Sequence, residues 1–255
     1  MADEVVLTST DGVLEIRLNR PEKKNALTRA MYETASAALE QADTDSSIRV
    51  ALLTGTGDTF TSGNDIKDFQ SRGATTGPRG GSRFLPVISS MRKPLIAAVN
   101  GAAVGVGTTM LLHCDLIVAA RSARFVMPFT SLALIPEAAS TLLVPRLLGH
   151  QRASALLLLG EPLDAVMALE WGLVNRVVDD RMLMETAREI GRRLAALPPE
   201  AVRLTKQLMR HGEPTVAGRI KEEMAIFSER LASAEAQEAF AAFMDKRKPD
   251  FSPAR

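Results

Sequence analysis

Lys93-Pro94-Leu95-Ile96-Ala97-Ala98-Val99-Asn100-Gly101-Ala102-Ala103-Val104-Gly105-Val106-Gly107 holds the reading of this chain. Leu95 to Val99 form a short, unbroken apolar run, as expected of a strand buried on both faces. Asn100-Gly101 punctuate it, and from Gly105 to His113 the apolar residues return at helical spacing. Val50-Ala51-Leu52-Leu53 and Leu116-Ile117-Val118-Ala119 repeat the apolar run on either side. Leu14, Ile16 and Leu18 alternate with Glu15 and Arg17, which predicts a half-buried strand ended by Arg20-Pro21. Thr28 is placed to cap a helix through Met31, Ala35 and Leu39, and Ser82–Met91 also has helical spacing. Strands alternating with helices predict an α/β protein.

After Asp179 the strand signals stop. Met182–Leu197, Pro199–Arg210, Val216–Leu231 and Ala234–Lys246 read as consecutive helices, the last capped by Ser233. The expected division is a core over residues 1–195 and a helical region over 196–255. Ser71 to Gly81, with four glycines (Gly73, Gly77, Gly80, Gly81), reads as a mobile surface loop. No internal repeat is evident.

Composition removes several classes of function. Lys+Arg 31 against Asp+Glu 30 leaves a net charge of +1, no field for nucleic acid or an anionic membrane. Aromatic residues are 4% of the chain, too few for a base-stacking platform. The single cysteine, Cys114, excludes an internal disulfide and a multi-cysteine zinc site. His113, His150 and His211 have no ligand-like spacing, so no metal is expected. No apolar run is long enough to span a membrane, and neither terminus reads as a signal or peroxisomal address, so the cytoplasm is the expected compartment.

Gly105-Val106-Gly107 starts like a dinucleotide fingerprint but lacks its third glycine. His113-Cys114 read as core residues at a helix end rather than a nucleophilic pair. Two turns are more informative. Thr61-Ser62-Gly63-Asn64-Asp65-Ile66-Lys67 and Asn100–Gly107 each follow a strand, and each can open a helix. Each is either a tight connection or a cradle of free N–H groups; two facing one cavity would hold a developing oxyanion. Glu137 is an acid alone in Leu132-Ala133-Leu134-Ile135-Pro136-Glu137-Ala138-Ala139. With Pro136 at a helix start it is a favourable N-terminal charge. On an apolar wall beside Leu134, Ile135 and Phe129 it is a base with a raised pKa.

Arg17-Leu18-Asn19-Arg20-Pro21, Lys24-Asn25-Ala26-Leu27, Phe60 to Lys67, Lys93 to Gly107, Gly149-His150-Gln151-Arg152-Ala153, Trp171-Gly172-Leu173-Val174 and Ala242 to Phe251 resemble, in order, the motifs of the crotonase superfamily of enoyl-CoA hydratases and isomerases. The resemblance implies a ββα spiral core carrying an acyl-CoA site and a C-terminal helical trimerisation region. It implies that the backbone N–H groups of Asn64 and Val106 form an oxyanion hole for a thioester carbonyl. It also implies coenzyme A contacts along Lys24, Ala26, Ser62, Asp65, Ile66 and Lys67. The substrate arrives as a coenzyme A thioester with no further cofactor, and a homotrimer or dimer of trimers is expected, with Lys246 reaching a phosphate across the boundary.

Two departures bear on the reaction. The glutamate positions of the hydratases are held here by Thr109 and Phe129, neither of which exchanges protons with water as a carboxylate does. Glu137 instead matches the acid of the Δ3,Δ2-enoyl-CoA isomerase branch. That implies conversion of 3-enoyl-CoA to 2-enoyl-CoA by a 1,3-proton transfer. The alternatives are an enoyl-CoA hydratase or ring-acyl-CoA isomerase on the same fold, or a non-catalytic acyl-CoA binder.

Overall fold

The uninterrupted apolar runs lie at the centre of a sheet covered on both faces. A computed structural model describes residues 3–65, 81–210, 216–231 and 233–251. Its larger sheet contains β1 (Val5–Thr10), β2 (Val13–Leu18), β3 (Val50–Gly55), β5 (Leu95–Val99), β7 (Leu116–Ala120) and β10 (Arg176–Val178), in the order β1-β2-β3-β5-β7-β10. β1 and β2 form an antiparallel hairpin, and the remaining neighbours are parallel. A smaller sheet holds β4 (Thr59–Thr61), β6 (Ala102–Val104), β8 (Arg124–Val126) and β9 (Leu163–Asp164), in the order β4-β6-β8-β9.

Alternate residues of each long strand enter different cores. Leu14, Ile16, Leu53, Leu95, Ala97, Val99 and Ile117 pack on one side, with Met31, Ala35 and Leu39 of α1 (Arg29–Thr44). Val13, Val50, Leu52, Ile96, Ala98 and Val118 pack on the other. That second face is covered by α7 (Leu183–Ala195), through Leu183 and Ala187. Full burial of a side chain such as Ile16 or Leu95 contributes about 1.5–3 kcal/mol. β2 is therefore not half-buried as its alternation predicts. Glu15 is only 6% exposed, its carboxylate bonded by Arg17 and by Arg188 of α7 (Nε, 2.9 Å). An ion pair under a helix gives the same alternation as a solvent face.

The chain repeats one unit three times. β3 leads to β4 and then α2 (Gly81–Ser90); β5 to β6 and α3 (Val106–Thr109); β7 to β8 and, after a loop, α4 (Ser140–Leu148). Each unit adds one strand to the large sheet and the next to the small one, which is the ββα spiral. Thr28 caps α1 as expected, its Oγ1 accepting from the Met31 amide. The helix expected over Gly105–His113 is α3 followed by a tighter turn, Met110–His113. After α5 (His150–Ser154), α6 (Ala165–Glu170) and α7 come α8 (Pro199–Arg210), α9 (Val216–Leu231) and α10 (Ala234–Met244), the last capped by Ser233. Residues 71–80 of the loop expected at Ser71–Gly81 fall outside the described residues, and Gly81 begins α2. Among the described residues no helix is long and apolar enough to cross a membrane.

Candidate active site

The two glycine turns leave the small sheet side by side, because β4 and β6 are parallel neighbours with Thr61 opposite Ala103. Glycine permits the close fit. Gly63 has φ +91, and a Cβ there would stand 2.9 Å from the Val104 carbonyl oxygen. A Cβ on Gly107 would stand 2.5 Å from Cγ2 of Thr61. The segment 24–27 runs along the first turn: the Ser62 amide donates to the Lys24 carbonyl, Leu27 to Gly63, and Asp65 to Leu27. Buried Asn25 fixes this segment through its Nδ2, which donates to the Thr56 and Thr59 carbonyls. The Tyr32 hydroxyl donates to Oδ1 of Asn64 at 2.7 Å, occupying that side chain.

With those partners assigned, the backbone N–H groups of Asn64 and Val106 donate to no acceptor among the described residues. Both residues line one cavity of about 540 Å³, whose walls also include Phe129, Leu132 and Leu134. The second turn is held open by the Gly105 amide, which donates to the Val126 carbonyl. Two free N–H donors at one cavity suit an oxygen that gains negative charge.

A family profile described as Enoyl-CoA hydratase/isomerase matches residues 8–254. The chain belongs to the enoyl-CoA hydratase/isomerase family. It is 39% identical to the 1,2-epoxyphenylacetyl-CoA isomerase of Escherichia coli (strain K12), over 98% of both chains. It is 35% identical to the peroxisomal enoyl-CoA delta isomerase 3 of Mus musculus, covering 96% of this chain and 79% of that one. The enoyl-CoA hydratase of Bacillus anthracis superposes with a TM-score of 0.90 at 32% identity, covering 98% of this chain and 99% of that one. An enzyme of this family acts on acyl-CoA thioesters, and its relatives include both isomerases and hydratases.

Of the residues expected to hold coenzyme A, Ala26, Ser62 and Asp65 line the cavity. Lys24 does not; its Nζ pairs with Asp58 at 2.9 Å on the surface. Ile66 and Lys67 fall outside the described residues. Lys246 is exposed beyond α10 and does not line the cavity. Two cations that sequence reasoning did not assign do line it, Arg20 and Lys23. Arg20 donates to the Asp65 carboxylate at 2.7 Å and to the Ala26 carbonyl at 3.2 Å. The signal for them was the Arg20-Pro21 break, which ends β2 beside the site.

Thr109 is fully buried, with its hydroxyl turned to the Val106 carbonyl, and Phe129 is a cavity wall. Glu137 is half-buried and does not line the cavity itself, although Leu132 and Leu134 of the same loop do. Its Oε1 is buried without a hydrogen-bond partner, and burial raises its carboxyl above the usual range. Pro136 does not open a helix: α4 starts at Ser140, after Ala138 and Ala139 at φ +56 and +55. Glu137 thus precedes the first helical turn, where its charge would have met the N-terminal dipole. Ile135, expected beside it, is 85% exposed. Burial pushes the Cys114 thiol up to about 12, which leaves no thiolate at neutral pH.

Proposed function

We propose that the enzyme converts 3-enoyl-CoA to 2-enoyl-CoA, with Glu137 carrying the proton. The Glu137 carboxylate takes a proton from C2, and the electron pair delocalises through C1 onto the thioester oxygen and through the C3–C4 double bond onto C4. The Asn64 and Val106 N–H groups stabilise this dienolate; one such donor is worth about 2.7–4 kcal/mol in comparable sites. The protonated Glu137 then returns the proton at C4, and the double bond re-forms between C2 and C3. The cycle consumes no cofactor. Arg20, Lys23, Ala26, Ser62 and Asp65 receive the coenzyme A end, with Lys24, Ile66 and Lys67 assigned by the motif they occupy.

The observation that carries this reading is the orphaned Oε1 of Glu137. A buried carboxylate oxygen without a donor destabilises the fold and retains its capacity to accept a proton. Hydration needs a second acid–base group to activate water, and Thr109 and Phe129 supply none. The reading requires the Glu137 carboxyl to reach the end of the cavity bounded by Leu132 and Leu134. Assays on one enzyme stock test it: 3-enoyl-CoA should isomerise much faster than 2-enoyl-CoA is hydrated, and the reverse ranking would refute it. Isomerisation of a ring-containing acyl group is a second reading, favoured by the Phe129 wall and the epoxyphenylacetyl-CoA relative; a panel of linear and cyclic thioesters separates the two.

A further inference from the structure

We propose that His113 is a positioning residue for Glu137, acting through the Ala138 carbonyl; the inference rests on Glu137 being the proton carrier. His113 ends the tight turn that continues α3, the helix opened by Val106. Its Nε2 lies 3.0 Å from the carbonyl oxygen of Ala138. A carbonyl only accepts, so Nε2 carries the hydrogen. Burial, the largest cause, with the Arg210 charge holds the ring below the usual histidine range, against the opposing effect of the Ala138 bond, so it is neutral at neutral pH.

The loop that His113 grips has little else to fix it. Residues 133–139 otherwise make only local bonds: Ala133 to Thr130, Leu134 to Phe129, the Ser140 amide and hydroxyl to Glu137, and the amides of Leu142 and Leu143 to Ala139. Among the described residues, the His113 contact is the hydrogen bond that ties residues 133–139 to another element; earlier in the loop, the Thr130 hydroxyl donates to the Leu158 carbonyl at 2.9 Å. Ala138 and Ala139 both stand at left-handed φ, a conformation alanine keeps only where its surroundings impose it. The Ala138 carbonyl is one peptide beyond Glu137, so rotation of that unit would re-aim the carboxyl.

His113 is itself braced. Its carbonyl accepts from Arg210 Nη2 at 2.6 Å, and Arg210 also reaches Oδ1 of Asp115 at 3.2 Å. The imidazole therefore joins the helix that supplies the Val106 donor to the loop that supplies the acid. It does not line the cavity, and the role assigned to it is to hold the loop rather than to touch substrate.

The test uses the full-length protein and whichever enoyl-CoA the wild type turns over. His113→Leu and His113→Asn remove the bond; His113→Gln keeps an amide N–H able to reach the Ala138 carbonyl. Leu and Asn should lower kcat about tenfold or more with KM within about twofold, and Gln should recover most of the loss. In the Glu137→Gln background, His113→Leu should cost nothing further. A kcat within about twofold of wild type for Leu would overturn the proposal. So would Gln no better than Asn, or losses that track Tm. If the Leu variant does not fold, the comparison of Asn with Gln decides. A Glu137→Gln enzyme that stays active sinks the proton-carrier reading; an inactive one beside an active His113→Leu sinks only the role of His113.

Discussion

A carboxyl buried without a donor opposes folding whenever it is charged, and this places Glu137 in a conflict that can be measured. Desolvation raises its pKa above the ordinary glutamate value of 4.5. Below that value both folded and unfolded chains hold the proton, and stability is unaffected. As pH rises to the raised pKa, the unfolded chain releases the proton while the folded chain retains it, so stability falls; above the raised pKa the penalty is constant. Glu137→Gln should therefore melt higher than wild type at neutral pH, and the difference should vanish in acid. Turnover should move oppositely, rising with pH as Glu137 ionises and collapsing in the Gln variant. Thermal melts and pH–rate profiles check both, and a Gln variant that melts lower at neutral pH would contradict the burial argument. Glu137 was legible in the sequence because an acid among small apolar residues has few reasons to be there. Its setting was not, since alanine gives no signal of left-handed backbone, and Pro136 fits a helix start equally well.

At the scale of elements, legibility followed length. β3, β5 and β7 were readable because four or five consecutive apolar residues, buried on both faces, leave an unbroken run. β4, β6 and β8 have three residues each, too few to show a period, yet the first two carry the donor turns. The glycines marked the turns without showing that they touch. That contact gives a prediction: Gly107→Ala drives its Cβ to 2.5 Å from Thr61 Cγ2, against a neighbour fixed by its own bond to the Asn25 carbonyl. Overpacking of this kind costs about 1–3 kcal/mol, and a displaced Val106 N–H should lower kcat about tenfold or more. Thr61→Ser removes the opposing methyl and keeps the hydroxyl, so the double variant should regain part of the rate. Equal kinetics for single and double variants would show that the turn yields elsewhere.

On the whole molecule, the C-terminal helices expose side chains that water covers poorly: Phe227 at 68%, Phe243 at 81% and Met244 at 77%, with Met224 and Phe240 nearby. Large exposed apolar side chains of this kind suit an interaction surface. The expected occupant is further copies of this chain, as a homotrimer or a dimer of trimers, with the region over 196–255 making the contact and Lys246 brought to the boundary. Light scattering at micromolar protein checks this, and a monomer there would remove both the assembly and the cross-boundary role of Lys246. The architecture has one more consequence, for redesign. Neighbouring strands of a sheet lie about 4.7–4.9 Å apart whatever their side chains. The two amide donors leave adjacent strands, so their separation is inherited from backbone pitch, and Asn and Val serve at those positions as well as other residues could. The acid comes on a separate segment, after β8. The acid can thus be moved by changes within residues 128–139 while the two amides keep their spacing; a hydratase pair would also need an acid at Thr109, on α3.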